Sequence, residues 1–252
     1  MVNQQPSQIA YSLITTNNDA VVYLKMGELN ESYSLLLEAV ATLQKTIRDQ
    51  PPTNITPSRY NFHWNDLTFS NANGVFESSE QSGLPFLFQR FITVDMPRRR
   101  EIRSNRFCPS GLGSILHYNL ALAAHLLGIQ KAEFGKSYLQ EAKGLYGMVF
   151  ADVQHSSSRG SRRSSSSSSC CSMMMADHYD TALLIVLQMG IWNNQRCIYM
   201  DLGMEEQAAN CSNRLRKLLL STRASSNSLP EWRYFYLNLV TLEKQGCIAA
   251  AA

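Results

Sequence analysis

Two histidines, His117 and His125, stand eight residues apart. On a helix that places them near one face, about 80° apart. Such a pair is half of a metal site, but zinc takes three or four ligands and no third falls into the pattern. The reading is ordinary half-buried or surface histidines, and no metal residue is predicted. Asp177-His178 with a distant serine suggests a nucleophilic triad only by residue type. There is no G-x-S-x-G elbow and no strand-to-helix setting for one, so no catalytic residue is predicted. The six cysteines (Cys108, Cys170, Cys171, Cys197, Cys211 and Cys247) contain no C-x-x-C pair. Adjacent Cys170 and Cys171 are poorly placed to bond to each other. Cys211 falls on an apolar helical stripe, where a thiol acts as a small apolar group. In a chain of 252 residues this is no disulfide scaffold. With no phosphate-cradling loop either, the sequence predicts no cofactor.

Positive charge is the next candidate for chemistry. Residues 90–106 hold six Arg against Asp95 and Glu101, a net +4, and Arg98, Arg99, Arg100, Arg103 and Arg106 form the densest run. It could meet phosphate, an acidic protein surface or the nuclear import machinery. No aromatic residue that could stack on a base follows until Phe107. A solvated loop, or one paired with acidic helices, is the plainer reading. Residues 156–172 add three Arg and no acid. Within them Arg162-Arg163-Ser164-Ser165 fits a basic-directed kinase pattern, with Ser165 as the acceptor and with neighbouring Arg ready to pair with a phosphate. The whole chain carries only +3, so the remainder is net −4. An acidic helical body with its positive charge in loops argues against nucleic acid.

The elements that would position these residues are mostly helices. Ile9, Leu13, Thr16, Ala20, Tyr23 and Gly27 recur at spacings of three and four, which predicts a helix closed by Gly27. Tyr33, Leu36, Val40, Leu43 and Ile47 predict a second, with Asn30 as its N-cap. The short link makes the pair antiparallel. Leu116, Leu120, Ala123 and Leu127 form a stripe ended by Gly128, and Phe134, Tyr138, Ala142, Leu145 and Val149 the next. A long helix is predicted from about Asp177 to Asp201, closed by Gly203. Met204, Ala208, Cys211, Leu215 and Leu218 mark another, and Trp232, Phe235, Leu239 and Leu242 the last, with Pro230 in its first turn.

Two stretches break this periodicity. Residues 50–111 are rich in Pro, Asn, Ser and Gly. Within them Phe86–Val94 is aromatic and β-branched between Pro85 and Pro97, which predicts a strand, with Val75-Phe76-Glu77 as its hairpin partner. Residues 156–172 hold eleven Ser and cannot bury a core, which predicts disorder. The first residues, Met1 to Pro6, have neither the basic region nor the apolar core of a secretory leader. No unbroken apolar run is longer than Ala182–Leu187, far short of the ~20 residues of a membrane helix. An intracellular setting, cytoplasmic or nuclear, is the expectation.

Three helix pairs share a finer pattern. In the first, Ala20, Tyr23, Gly27, Ser32, Leu36 and Ala39 fall at matching offsets; in the third, Trp192, Tyr199, Gly203 and Ala208 do. In the second, Ala121, Gly128, Leu139 and Ala142 follow with a turn two residues longer. This resembles the tetratricopeptide (TPR) repeat, in which small residues let paired helices approach and large ones fill the space between pairs. The match covers roughly half the chain. The layout, with its strand-bearing insert and closing Phe235–Leu239 helix, is also similar to TPR-like proteins of diatom-type algae. The resemblance implies a groove face at Asn17 and Val21, Tyr118 and Leu122, and Asn193 and Cys197. In TPR proteins that capture chaperone C-termini, those offsets carry Lys and Asn. Here there is no Lys and no second Asn, so that clamp is not implied.

The expected fold is mainly all-α. One TPR-like helical domain covers 7–154 and 177–245, with an irregular insert at 50–111 carrying a hairpin and a disordered Ser-rich insert at 155–176. Tyr23, Leu36, Val40, Leu120, Leu139, Ala142, Leu184, Leu187, Cys211, Leu215, Phe235 and Leu239 are its expected core. The expected function is that of a protein–protein interaction module or scaffold, binding a peptide or partner domain through the groove. The rival is a phosphate or nucleic-acid surface binder working through Arg98–Arg106. A second rival is an enzyme whose site the residue pattern hides. No membrane is implied, and the partner's identity and the oligomeric state stay open.

Overall fold

The computed structural model describes residues 6–49, 67–71, 87–94, 109–131, 134–160, 174–222 and 230–249. Helix takes up 89% of them, so the fold is mainly all-α, as expected. The elements run α1 (Pro6–Met26), α2 (Leu29–Asp49), β1 (Leu67–Asn71), β2 (Arg90–Val94), α3 (Pro109–Gln130), α4 (Gly135–Gly160), α5 (Met174–Asp201), α6 (Glu205–Thr222) and α7 (Pro230–Ala249). α1, α3 and α7 each begin on proline, which lacks the N–H that the first turn cannot use.

Two hairpin turns rest on glycine for a stated reason. Gly27 and Gly203 have φ of 80° and 70°, a left-handed conformation that costs other residues. At the first, Glu28 N–H donates to Tyr23 O at 3.0 Å and Gly27 N–H to Leu24 O at 3.2 Å. At the second, Met204 N–H donates to Tyr199 O at 2.7 Å and Gly203 N–H to Met200 O at 3.0 Å. Both are Schellman caps, and both helices end where the sequence places their ends. α2 begins at Leu29, with Ser32 N–H donating to Glu28 O, so Asn30 lies inside the helix rather than capping it. Gly128 does not end α3. The helix continues to Gln130, and Gly128 serves close packing: a Cβ there would lie 2.8 Å from Leu139 Cδ2 and 3.1 Å from Gly135 O.

The chain divides into two compact units where the sequence suggested one domain. The first comprises residues 1–76 and 89–180, the second 77–88 and 181–252. In the first unit α1 packs on α2, α2 on α3 and α3 on α4, with β2 laid against α1 and α3. α3 is its central helix. From Leu112 to Gly128 every residue but half-buried His117 is buried. The window Gly111–Gln130 is long and apolar enough to cross a membrane, yet 89% of it is covered by the rest of the fold. A helix that is apolar all round belongs inside a packed body as much as in a bilayer. α2 is tied to α4 by Tyr33, whose hydroxyl donates to both Glu141 carboxylate oxygens at 2.8 Å. Burial, then that carboxylate, push the phenol's pKa up. In the second unit α7 packs on α6, and Trp232 Nε1–H donates to Leu219 O at 3.2 Å.

Ten of the twelve expected core residues are buried; Tyr23 and Leu184 are half-buried. On α1 the buried set is Ala10, Leu13, Ile14, Asn17, Ala20, Val21 and Leu24, so the packed face is rotated from the stripe through Thr16 and Tyr23. Ile47 and Phe134, assigned to apolar stripes, are exposed because each lies near a helix end.

The two inserts differ from expectation in detail. The strand is Arg90–Val94, within the predicted 86–94. Among the described residues its partner is Leu67–Asn71, antiparallel with Phe69 opposite Ile92. Residues 75–77 lie outside the described residues. α4 runs to Gly160 and α5 starts at Met174, so 155–160 and 174–176, assigned to the Ser-rich insert, are helical. Residues 161–173 lie outside the described residues.

Candidate functional site

In the first unit an extended strand is held by side-chain amides. An asparagine amide presents one acceptor oxygen and an N–H donor pair, the complement of one residue's main-chain N–H and C=O. In a strand those two groups share an edge, and successive residues alternate between edges. Ile92 and Val94 therefore turn their polar groups to the helices, and Phe91 and Thr93 turn theirs to β1.

Asn119, on α3, meets Ile92 on both counts. Ile92 N–H donates to Asn119 Oδ1 at 3.0 Å, and Asn119 Nδ2 donates to Ile92 O at 2.8 Å. Asn17, on α1, donates to the same carbonyl at 3.0 Å. Asn18 repeats the double grip on Val94, with Val94 N–H donating to Oδ1 at 3.0 Å and Nδ2 donating to Val94 O at 2.7 Å. The amides also orient one another: Asn119 Nδ2 donates to Asn17 Oδ1 at 2.9 Å and Asn17 Nδ2 to Asn18 Oδ1 at 3.2 Å. Asn17 and Asn119 are fully buried, as are Phe91 and Ile92, so the bonds to Ile92 form away from water. Burial without partners would be costly, and here each amide has them.

The second unit holds the same device. Asn194, on α5, accepts from Phe88 N–H at 2.9 Å and donates to Phe88 O at 3.1 Å. Asn193 Nδ2 donates to Asn194 Oδ1 at 3.3 Å, and Asn238 Nδ2, on α7, donates to Asn193 Oδ1 at 3.3 Å. Each doublet, Asn17-Asn18 and Asn193-Asn194, begins ten residues before its helix-closing glycine, Gly27 or Gly203. The Phe88 ring packs at 4.7 Å from Phe235 and 5.7 Å from Tyr234, centroid to centroid.

All six residues placed on a groove face are buried: Asn17, Val21, Tyr118 and Leu122 in the first unit, Asn193 and Cys197 in the second. Asn17 and Asn193 belong to the amide chains. Asn18, Asn119, Asn194 and Asn238 were not singled out from the sequence. Two signals stood there: paired Asn within α1 and α5, and a lone amide, Asn119, in the apolar run Leu112–Leu127. Asparagine is poor in a helix interior and signals a buried partner when it sits in an apolar run.

The remaining candidates separate. His117 Nδ1–H donates to Gly113 O at 2.7 Å, one turn back on α3. His125 is fully buried, its ring edge-on to Tyr146, and neither ring nitrogen has a hydrogen-bond partner among the described residues. Burial lowers its pKa to about 3, so the imidazole is neutral. Among the described residues no three His, Cys, Asp or Glu side chains gather as a metal set. Burial pushes the Cys197 thiol up to about 12 and the Cys211 thiol up to about 11, which leaves both protonated and unreactive. Asp177 and His178 lie on α5. Arg98, Arg99, Arg100, Arg103, Arg106 and Ser165 lie outside the described residues. No protein-family model, curated protein or solved structure matches the chain.

Proposed function

We propose that this chain is a protein–protein interaction module of TPR-like helix pairs, set in an intracellular compartment, that holds an extended segment of a partner protein. The observation that supports this is the double engagement of the Ile92 main chain by Asn119, backed by Asn17 and Asn18. Main-chain recognition of this kind gives affinity for any extended backbone, and pockets for alternate side chains supply the selectivity. In this structure the seat is filled by the chain's own β2. A partner segment takes the seat in exchange for β2, pairing its free edge with the amides of α1 and α3. No side chain in the seat is a nucleophile or a poised acid or base, so the reading asks for binding and no reaction.

The test is a selection of displayed random peptides on the full chain carrying Ile92→Pro, which removes the N–H that Asn119 accepts from. Peptides of strand-forming composition should be enriched on this variant, and enrichment should vanish when Asn119→Ala is added. Enrichment indifferent to Asn119 would refute the reading.

A further inference from the structure

The second unit carries a seat of its own, and the geometry points to a defined ligand for it: an extended peptide bearing a phenylalanine, of which Phe88 is a tethered copy. This rests on the reading that amide doublets hold extended backbone for a partner, and it concerns residues 181–252 together with Phe88, which belong to one unit.

The helices of this unit are contiguous in sequence, whereas Phe88 reaches them from 106 residues away. It enters as a ligand does, by its main chain and one side chain. Asn194 takes its N–H and C=O, and Phe235 and Tyr234 take its ring. The amide that receives it is pre-set. Asn238 fixes Asn193, and Asn193 fixes Asn194, through the two 3.3 Å bonds. Pre-organisation of this sort lowers the ordering cost of binding. The parallel with the first unit sets the register. There the second Asn of the doublet holds Val94, and the Asn that orients the doublet, Asn119, holds the residue two positions earlier. Asn238 is the corresponding residue here, so a bound peptide presents to it the main chain two positions before its phenylalanine. The ring pocket supplies the selectivity that the amides lack, since an aromatic pair gains most from offset or tilted packing at the observed separations.

Occupation in cis makes the site self-blocked. A tethered segment competes at an effective concentration in the millimolar range, so a free peptide binds weakly until Phe88 is withdrawn.

The experiment uses the full chain with Phe88→Ala and an acetylated, amidated peptide spanning residues 85–91, followed by isothermal calorimetry. The variant should bind the peptide saturably and at least tenfold more tightly than the unsubstituted chain does. Adding Asn194→Ala, or replacing the phenylalanine corresponding to Phe88 in the peptide by alanine, should weaken binding at least tenfold. A variant with unchanged helical content that fails to bind, or that binds regardless of Asn194, overturns the proposal. If Phe88→Ala loses its helical content, hydrogen exchange on the unsubstituted chain decides. A tethered ligand opens locally, so the Phe88 amide must exchange faster than that of Leu215, and exchange in step with Leu215 overturns the proposal. A failure here, alongside a peptide selection that still depends on Asn119, removes this pocket and leaves the reading of the first unit standing.

Discussion

Asn119→Ala should be among the most destabilising single substitutions in the first unit, although it deletes only a polar group. The side chain makes three hydrogen bonds: to Ile92 N–H at 3.0 Å, Ile92 O at 2.8 Å and Asn17 Oδ1 at 2.9 Å. After its removal Ile92 O keeps Asn17 as a donor at 3.0 Å. Ile92 N–H and Asn17 Oδ1 lose their partners inside a fully buried site. An orphaned buried group costs about 1–3 kcal/mol, so two cost about 2–6 kcal/mol. Asn17→Ala leaves Ile92 bonded on both groups and strands only one N–H of Asn119, about 1–3 kcal/mol. Asn18 is half-buried, so water replaces much of what Asn18→Ala removes, about 1 kcal/mol. The order Asn119 > Asn17 > Asn18 is the result to look for in urea unfolding. At a slope of about 2 kcal/mol per M, Asn119→Ala lowers the midpoint by about 1–3 M. Hydrogen exchange at the Ile92 amide should accelerate in the same order. A midpoint for Asn119→Ala no lower than that for Asn18→Ala would mean that the Asn119 amide is not what holds β2.

Further outcomes follow from burial and backbone geometry. His125 has a folded pKa of about 3 against about 6.5 unfolded, so the unfolded chain carries the extra proton between those values. The stability it contributes is present above pH 6.5 and falls as pH drops, by about 2 kcal/mol at pH 5; His125→Phe should flatten the urea midpoint against pH by that amount. Leu36→Ala, at a fully buried position, should cost about 2–5 kcal/mol in the same assay. Gly128→Ala should cost about 1–3 kcal/mol through its clash with Leu139. Gly144→Ala and Gly147→Ala, where a Cβ meets nothing within 4 Å, should each raise stability by about 0.5–1 kcal/mol.

The helices were legible in the sequence because period and punctuation agree. Gly27 and Gly203 close the helices they were expected to close, since a positive φ leaves glycine little competition. Gly128 reads identically in one dimension, yet its role depends on Leu139 and Gly135, residues of the next helix. The strand was legible from its β-branched and aromatic run. Its partner was not, because pairing is settled by which edge remains once Asn17, Asn18 and Asn119 have taken the other. The same holds for the amide seats. Asn17 and Asn193 were reached only as groove positions implied by the TPR resemblance, while Asn119, Asn194 and Asn238 acquire meaning only from what lies across from them. Period reports which face is buried only to within a rotation like that of α1, and is silent on which buried amide meets a main chain.

As a seat for extended backbone, the amides of α1 and α3 should accept another segment in place of β2. The direct measurement is fluorescence anisotropy of a labelled peptide spanning residues 89–94, titrated with the full chain carrying Ile92→Pro, with and without Asn119→Ala. Binding to the first should be saturable, and binding to the second at least tenfold weaker. An Ile92→Pro chain of unchanged helical content that leaves the peptide unbound, or binding unaffected by the loss of Asn119, would contradict such a seat.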